Sequence, residues 1–340
     1  MHVAITFDLK EQYERNGFTS EDLAELDIPE TIDSIAQFLT KQNHTVQRVC
    51  GLFDLISELQ KGTRWDLVFN IAEGVYGSAR EAQIPSLLEA HRIPFVFSDA
   101  LTLALTLDKG LTKRVLREQG FATPDFVVVD TPNKLDRVSD VLNFPLFVKP
   151  VAEGSSKGID VHSLAKNQEE LRQKVNSIWT SFQQAALVET YLPGREFTVG
   201  VLGTGSEARV IGVMEVIFNN SADAPGYTLK NKQNYLERVR YTIAKDKEAN
   251  EAGRLALTVW QTLKCRDGGR LDIRSNAEKI PHFLEVNPLP GLHPIHSDIV
   301  ILSKLVGMSY EELLGFIFDS ALQRCTRSSF NPFLVQKIRS

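Results

Sequence analysis

Residues 269–296 constrain the fold of this chain most, because they predict two β-strands joined by a polar turn at residues 275–278. The side chains of a strand point alternately to its two faces, so Arg270 and Asp272 are expected on one face and Leu271 on the other. Strands this close in sequence pair as a hairpin. The segment therefore predicts a hairpin with charged side chains along one face.

The returning strand of this hairpin predicts a metal site. Phe283, Glu285 and Asn287 are expected on one face, with Leu284 on the other, and pairing brings Asp272 beside Glu285 and Asn287. Two carboxylates and an amide oxygen suit Mg²⁺ or Mn²⁺, which complete their coordination with water and nucleotide phosphates. The hairpin therefore predicts ATP as a partner. The alternative is a half-buried hairpin whose polar side chains simply face water.

Composition excludes several classes of partner. The chain has 340 residues, enough for two or three domains, and its 43% hydrophobic and 24% charged residues are ordinary for a globular protein. A net charge of -5 without a Lys/Arg run argues against nucleic acid or a membrane and favours a small molecule. The three cysteines lie far apart, and the chain shows no leader or long apolar run, so we expect a cytoplasmic protein.

The order of predicted elements divides the chain into three domains. Strands alternate with helices through residues 1–100, which predicts an α/β domain with a parallel sheet. Residues 101–195 predict a second domain that opens with one helix at residues 101–119. Residues 196–340 form the third domain, which contains the hairpin.

A glycine-bearing loop in the first domain predicts substrate contacts. It follows a strand that ends at Asn70, and open α/β sheets bind their ligands at the carboxyl ends of strands. Glu73, Arg80 and Glu81 are therefore candidate substrate contacts. A plain connecting loop is the alternative.

A second loop, rich in Gly and Ser, predicts phosphate binding. It lies between Lys149 and a further strand predicted to end at Val161. Small residues expose consecutive backbone N–H groups to phosphate oxygens, and Lys149 supplies a cation. A hairpin turn is the alternative.

Residues 219–241 are polar and irregular, and they include Lys230 and Lys232. A long segment without regular structure in a compact domain is commonly an active-site lid. We therefore expect a mobile lid here.

Three motifs together resemble the ATP-grasp superfamily, and within it the D-alanine–D-alanine ligases. They are FVKPVAEGSSKG, VETYLPGREFTVGVLG and RLDIR with FLEVNPLPGLHP, in this order. The similarity is strongest from residue 101 to residue 314. It implies an ATP-grasp fold, mixed α/β and α+β, preceded by an amino-terminal Rossmann-like (pre-ATP-grasp) domain.

The resemblance also implies roles for individual residues. On the nucleotide side, Lys109 and Lys149 contact phosphates beneath the loop of Glu153, Gly154, Ser155 and Ser156, while Glu189, Leu192 and Glu196 meet adenine and ribose. Asp272, Glu285 and Asn287 hold two Mg²⁺ ions. Arg270 stabilises a tetrahedral intermediate, Ser155 lies near the first substrate, and Lys232 of the lid, or alternatively Lys230, reaches the γ-phosphate.

The substrate side departs from the family pattern. Glu30 stands near the place of the family's ammonium-binding glutamate, and Glu73 stands where the family has histidine. The segment that holds the second substrate is represented by Gly291, His296 and Ser297, with one residue more than the family's spacing.

These residues predict an ATP-dependent, ADP-forming carboxylate–amine ligase that joins two amino acids through an acyl phosphate. Its product belongs either to the cell wall (peptidoglycan) or to a specialised metabolite built from other amino acids. A nucleotide-binding scaffold or regulator without turnover is the alternative of another class. The sequence does not decide whether the protein forms a homodimer.

Overall fold

The computed structural model describes residues 1–15, 17–19, 22–218 and 239–328. Most of the predicted lid at residues 219–241, including Lys230 and Lys232, lies outside these residues. Within the described part of the chain, no helix is long and apolar enough to cross a membrane.

The amino-terminal part confirms the predicted parallel sheet. Its strands β1 (His2–Phe7), β2 (Thr45–Cys50) and β3 (Leu67–Asn70) lie in the order β2-β1-β3 and pair in parallel. Val3 and Ile5 face one core and Ala4 the other, because helices cover both faces. These helices are α2 (Pro29–Lys41) on the Ile5 side and α3 (Gly51–Gln60) and α4 (Gln83–Ala90) on the Ala4 side, whereas the short α1 (Lys10–Glu14) has no buried residue.

The helix predicted at residues 101–119 is wrong as a single element. The structure has α5 (Ala100–Leu107) and α6 (Lys109–Glu118), separated at Asp108, whose backbone is extended. The Asp108 carboxylate accepts a hydrogen bond from Leu111 N at 2.8 Å, so it caps a new helix. This break places Lys109 at the first position of α6.

The central sheet has the order β4-β7-β5-β6. These strands are β4 (Phe126–Val129), β5 (Leu146–Pro150), β6 (Leu164–Ala165) and β7 (Ala186–Thr190), and α7 (Pro132–Asp136) and α8 (Gln168–Phe182) accompany them. The prediction of a strand that ends at Val161 is wrong, because Asp160 caps a short 3₁₀ helix over Val161–Ser163 before β6. The Gly/Ser loop therefore leads into a turn.

The third sheet has the order β10-β9-β8-β11-β12 and carries the predicted hairpin. Its strands are β8 (Glu196–Leu202), β9 (Arg209–Phe218), β10 (Val239–Ile243), β11 (Gly268–Ser275) and β12 (Pro281–Asn287). The helices that follow β10 or β12 are α9 (Lys247–Thr262), α10 (Asp298–Leu305) and α11 (Tyr310–Ser328). Trp260 of α9 is fully buried against the sheet.

The carboxyl-terminal helices pack on the amino-terminal sheet. Leu314 and Ile317 of α11 share a core with Ile5 of β1. Buried Asp267 accepts hydrogen bonds from Phe97 N at 2.8 Å and Arg324 Nη2 at 2.7 Å, which joins the end of the amino-terminal part to α11. The domain limits at residues 100 and 195 lie between the sheets and stay predictions.

Candidate functional site

The hairpin of β11 and β12 confirms the predicted pairing. Asp272 lies opposite Glu285, and Arg270 lies opposite Asn287. The turn covers residues 276–280 instead of 275–278, because Ser275 still pairs with Pro281. Local alternation therefore predicted that Asp272 meets Glu285 across the strands, but it did not predict that Arg270 is the residue opposite Asn287.

A β-bulge changes which side chains of β12 share a face. The register shifts between Asp272 and Ile273, so Ile273 pairs with Phe283 and Leu284 is the extra residue. Phe283 and Val286 both lie in the core, whereas Leu284 and Glu285 line a cleft. The expectation that Phe283 shares a face with Glu285 is wrong, because the extra residue interrupts the alternation.

This cleft, called the narrow cleft below, lies between the central and third sheets and has a volume of about 640 Å³. Its walls combine apolar surface suited to a planar base with charged groups (Pro124, Phe147, Lys149, Ser156, Ile159, Glu189, Thr190, Tyr191, Leu192, Glu196, Asp272, Arg274, Leu284 and Glu285). Arg274 Nη1 lies 2.9 Å from Glu196 Oε2, and its guanidinium lies over the Tyr191 ring. The predicted adenine and ribose residues Glu189, Leu192 and Glu196 therefore line one cleft.

Buried lysines and glutamates alternate at the inner end of the narrow cleft. Lys149 Nζ lies 3.3 Å from Glu189 Oε2 and 3.5 Å from Glu285 Oε2, and Lys109 Nζ lies 3.8 Å from Glu285 Oε2. Burial alone would lower the pKa of Lys149, but the two carboxylates outweigh it and raise that pKa. Lys149 therefore keeps the positive charge that a polyphosphate needs.

Lys113 is a member of this network that the sequence analysis missed. Its side chain is fully buried, and Nζ lies 2.7 Å from Glu189 Oε1 while donating to Thr123 Oγ1 at 2.9 Å and Phe283 O at 3.1 Å. Burial lowers the pKa of Lys113 to about 8. The sequence did carry one signal for Lys113: it follows Lys109 by four residues, which places both lysines on the same face of a helix. Lys113 thus positions Glu189 and ties α6 to the bulged strand.

We expect Lys113→Met to lower the free energy of unfolding by about 1–3 kcal/mol, because it leaves the buried Thr123 and Phe283 groups without their donor. Glu189 keeps Lys149, so the larger cost of an unpaired buried charge is avoided. The KM for ATP should also rise, because Glu189 loses the group that orients it. Chemical unfolding and steady-state kinetics measure the two effects.

Lys174→Met is the matched control, since Lys174 is also buried but pairs with the exposed Asp160 at 2.9 Å, away from the narrow cleft. We expect the control to keep the KM for ATP of the unaltered protein. A Lys113→Met protein with unchanged KM would show that Lys113 has a structural role alone.

The Gly/Ser loop lies over these lysines in a strained conformation. Ser155 and Ser156 have φ angles of 47° and 59°, in the left-handed region that non-glycine residues rarely adopt. Lys109 Nζ donates to Glu153 O, and Gly154 N donates to the carboxylate of Glu25. A Cβ on Gly154 would lie 2.5 Å from Glu25 Oε1, so a larger residue there would require the Glu25 carboxylate to move. Such a backbone turn presents N–H groups to an anion.

The residues predicted to bind metal fit a hard divalent cation in their chemistry. The Asp272 and Glu285 side chains are 17% and 25% exposed, and Thr198 Oγ1 donates to Asp272 Oδ1 at 2.9 Å. Both carboxylates line the narrow cleft, whereas Asn287 lines the neighbouring cavity. When its amide is oriented to satisfy its neighbours, Asn287 Oδ1 accepts from Arg270 Nη1 at 3.0 Å. Two carboxylates and a nearby amide suit Mg²⁺ with ligands from a nucleotide.

The neighbouring cavity, called the large cavity below, has a volume of about 1,730 Å³. It collects most of the predicted substrate residues (Glu73, Glu81, Gly291, His296 and Ser297). Ser155 and Arg270, predicted as catalytic, and Asn287, predicted as a metal ligand, also line it. Glu30 does not line it, but Glu30 Oε2 lies 3.3 Å from Nε2 of His293, which does. His293 was missed, because its partner Glu30 is far away in sequence.

Gly291 and Ser297 shape one end of the large cavity together. Ser297 Oγ accepts a hydrogen bond from His293 N at 2.8 Å, and a Cβ on Gly291 would lie only 3.0 Å from that Oγ. The rings of His293 and His296 stack with centroids 4.7 Å apart. These contacts hold a compact polar turn ahead of α10.

Arg270 lies where the narrow cleft meets the large cavity. It is 6% exposed, and its Nε is 3.2 Å from Asp298 Oδ2 and 3.7 Å from Asp272 Oδ2. Asp298, at the start of α10, was missed in the sequence because only tertiary packing brings it to β11. The guanidinium therefore lies between Asp272, which lines the narrow cleft, and Asp298, which lines the large cavity.

Comparisons with known proteins agree with this architecture. The sequence model described as "D-ala D-ala ligase C-terminus" matches residues 115–319. The chain is 34% identical over 262 residues to a D-alanine–D-alanine ligase of Bordetella petrii, covering 76% of each chain. It is also 34% identical over 264 residues to the uncharacterized protein y4sG of Sinorhizobium fredii, covering 76% of this chain and 75% of that one.

Two solved structures share the fold. The crystal structure of a D-alanine–D-alanine ligase from Bacillus anthracis has a TM-score of 0.72 at 20% identity, covering 96% of this chain and 99% of that one. The VanG D-Ala:D-Ser ligase of Enterococcus faecalis has a TM-score of 0.70 at 20% identity, covering 94% and 99%.

Proposed function

We propose that this chain, which belongs to the D-alanine–D-alanine ligase family and is an ATP-dependent ligase, joins the carboxylate of one amino acid to the amine of another. The observation that carries the proposal is the position of Arg270. Its guanidinium bridges the cation-lined narrow cleft and the large cavity, between Asp272 and Asp298. A nucleotide in the first and amino acids in the second would meet at this residue.

In the proposed first step, a carboxylate oxygen of one amino acid attacks the γ-phosphorus of ATP, and ADP leaves. Lys109 and Lys149 offset the phosphate charge, and the loop that contains Ser155 holds phosphate oxygens through its backbone. A divalent cation bound by Asp272, Glu285 and Asn287 would neutralise further charge on the phosphates. The product of this step is an acyl phosphate.

In the proposed second step, the free amine of the other amino acid attacks the acyl carbon, and phosphate leaves as the amine gives up a proton. Negative charge develops on the acyl oxygen in the tetrahedral intermediate. Arg270, held in place by Asp298, is the charged donor nearest to the junction where this happens. The contribution of Lys232 from the predicted lid stays a prediction.

The proposal is tested by phosphate release from ATP in the presence of Mg²⁺ and a panel of D- and L-amino acids, singly and in pairs. We expect release that depends on amino acids, together with a product whose mass equals the two amino acids minus water. ATP binding without release across the panel would instead identify a nucleotide-binding scaffold. The identity of the accepted pair decides between a cell-wall precursor and a specialised metabolite.

A further inference from the structure

The wall that the amino-terminal domain contributes to the large cavity is acidic. Glu73 and Glu81 follow β3, and Asp27 precedes α2. Among the described residues, no Lys, Arg or His nitrogen lies within 4 Å of these three carboxylates, although Lys10 also lines the cavity. Two other acids of the cavity are paired, Glu25 with Arg80 at 2.9 Å and Asp298 with Arg270 at 3.2 Å, whereas Glu14 is exposed at its edge. The wall therefore holds carboxylates in excess of cations.

Arg80 offsets this excess only in part, because its charge favours the ionised forms of Glu73 and Glu81 but its donors are directed elsewhere. Its Nη2 lies 2.9 Å from Glu25 Oε2 and 3.8 Å from Glu153 Oε2, and its Nη1 donates to Ala152 O at 3.0 Å. Lys157 likewise pairs with Glu153 and lies 3.8 Å from Glu25. These two cations lock the amino-terminal domain to the Gly/Ser loop, so neither is committed to Glu73 or Glu81.

The pKa values of Glu73, Glu81 and Asp27 are raised, as expected for buried carboxylates without an ion-pair partner among the described residues. Burial, reinforced by the charge of Glu81, raises the pKa of Glu73 well above its ordinary value. Burial also raises the pKa of Glu81 and that of Asp27, each to about 7. A cation placed among these groups would favour their charged forms, and they in turn would bind it.

Other features of the large cavity indicate an organic ligand. The Thr31 side chain is 1% exposed and lines the cavity, and its hydroxyl makes no well-aligned hydrogen bond among the described residues, although it interacts with the Asp27 carboxylate. In the same part of the chain, no group of three or more His, Cys, Asp or Glu could hold a metal ion. The part of the cavity that water-sized groups can enter has a volume of about 570 Å³, which falls within the roughly 300–1,000 Å³ of ordinary ligand sites and is more than a single alanine needs. An ammonium-bearing molecule larger than alanine meets these conditions.

We propose that one of the two joined amino acids carries a second ammonium group, as a diamino acid does, and that Glu73 and Glu81 bind that group. This inference rests on the proposed ligase function and names its substrate class. A single α-ammonium would leave most of the acidic wall without a partner. A diamino acid supplies a further cation, which the Glu73 and Glu81 carboxylates can bind by charge-assisted hydrogen bonds.

The test compares the unaltered enzyme on neutral amino acids (alanine and serine) and diamino acids (2,4-diaminobutyrate, ornithine and lysine), each as D and L forms and in pairs. Phosphate release gives kcat/KM, and mass spectrometry identifies the product. We expect pairs with a diamino acid to exceed the best neutral pair by at least about tenfold, as one charged hydrogen bond provides.

Glu73→Gln and Glu81→Gln should each lower this preference by at least about tenfold, because they keep the shape of the side chain and remove its charge. Glu207→Gln, at an exposed position away from both cavities, is the matched control and should keep the preference of the unaltered enzyme. Thermal unfolding checks that each variant is folded.

If neutral pairs react as well as diamino acids and neither Gln variant changes the ratio, the diamino-acid assignment is overturned and the ligase function stands. If other amino acid pairs stimulate phosphate release but no pair on this panel does, the diamino-acid assignment is likewise overturned. If no amino acid pair of any kind stimulates release, the ligase proposal fails, and this inference fails with it.

Discussion

Asp272→Asn and Glu285→Gln are each expected to lower the turnover of ATP-dependent ligation by roughly 100-fold or more. Both carboxylates face the narrow cleft across the paired strands β11 and β12. Each substitution removes a negative charge from a site that must hold cations against a triphosphate, and the electrostatic contribution at such a site is several kcal/mol. Initial rates at saturating Mg²⁺ and ATP measure the loss.

The fold should survive both changes, because the side chains keep their shape and are partly exposed. Glu278→Gln is the matched control, since Glu278 is an exposed carboxylate in the turn of the same hairpin. We expect its turnover to equal that of the unaltered enzyme. Near-normal turnover of both site variants would mean that the cation is bound elsewhere.

Arg270→Lys is expected to lower kcat roughly 100- to 1,000-fold, as the loss of an oxyanion donor does in other acyl-transfer enzymes. Lysine keeps the charge beside buried Asp298, so the cost of leaving that carboxylate unpaired is reduced. It loses the planar set of donors that reaches both Asp298 and Asn287. The KM for ATP should change much less than kcat, because the contact is made in the transition state.

Arg254→Lys on the exposed face of α9 serves as the matched control for the chemical change from arginine to lysine. Steady-state kinetics of both variants, with unfolding curves, separate catalysis from stability. A kcat for Arg270→Lys within a fewfold of the control would remove Arg270 from the proposed mechanism and leave it as a structural partner of Asp298.

The two cavities differ in how far their residues follow the family pattern. The narrow cleft collects the expected nucleotide residues, such as Lys149, Glu189 and Glu196. The large cavity instead presents Glu73, Glu81 and Asp27 on its amino-terminal wall. The chemistry of phosphoryl transfer is therefore expected to match that of the family, while the choice of amino acids is expected to differ from alanine.

The sequence by itself determined the features that depend on local periodicity. Alternation along β11 and β12 predicted that Asp272 would lie opposite Glu285, because a hairpin pairs residues close in sequence. The α/β alternation of the first 100 residues likewise predicted a parallel sheet, whereas its strand order β2-β1-β3 was visible only in the structure. The motifs around Lys149 and Arg270 predicted a ligase from the sequence without any knowledge of how close these two residues lie to their partners.

Only the tertiary structure decided which distant groups meet. Lys113 contacts Glu189 across 76 positions of sequence, and Glu25 reaches Gly154 across 129, so no local pattern could reveal either pair. The sequence also did not predict the bulge at Leu284. The extra residue moves Phe283 into the core, but nothing in the composition of the strand marks it. The acidic excess at Glu73 and Glu81 follows from the same cause. Whether a buried carboxylate is neutralised depends on which cations the folded chain brings within a few ångströms of it, and here the fold directs Arg80 and Lys157 to other partners.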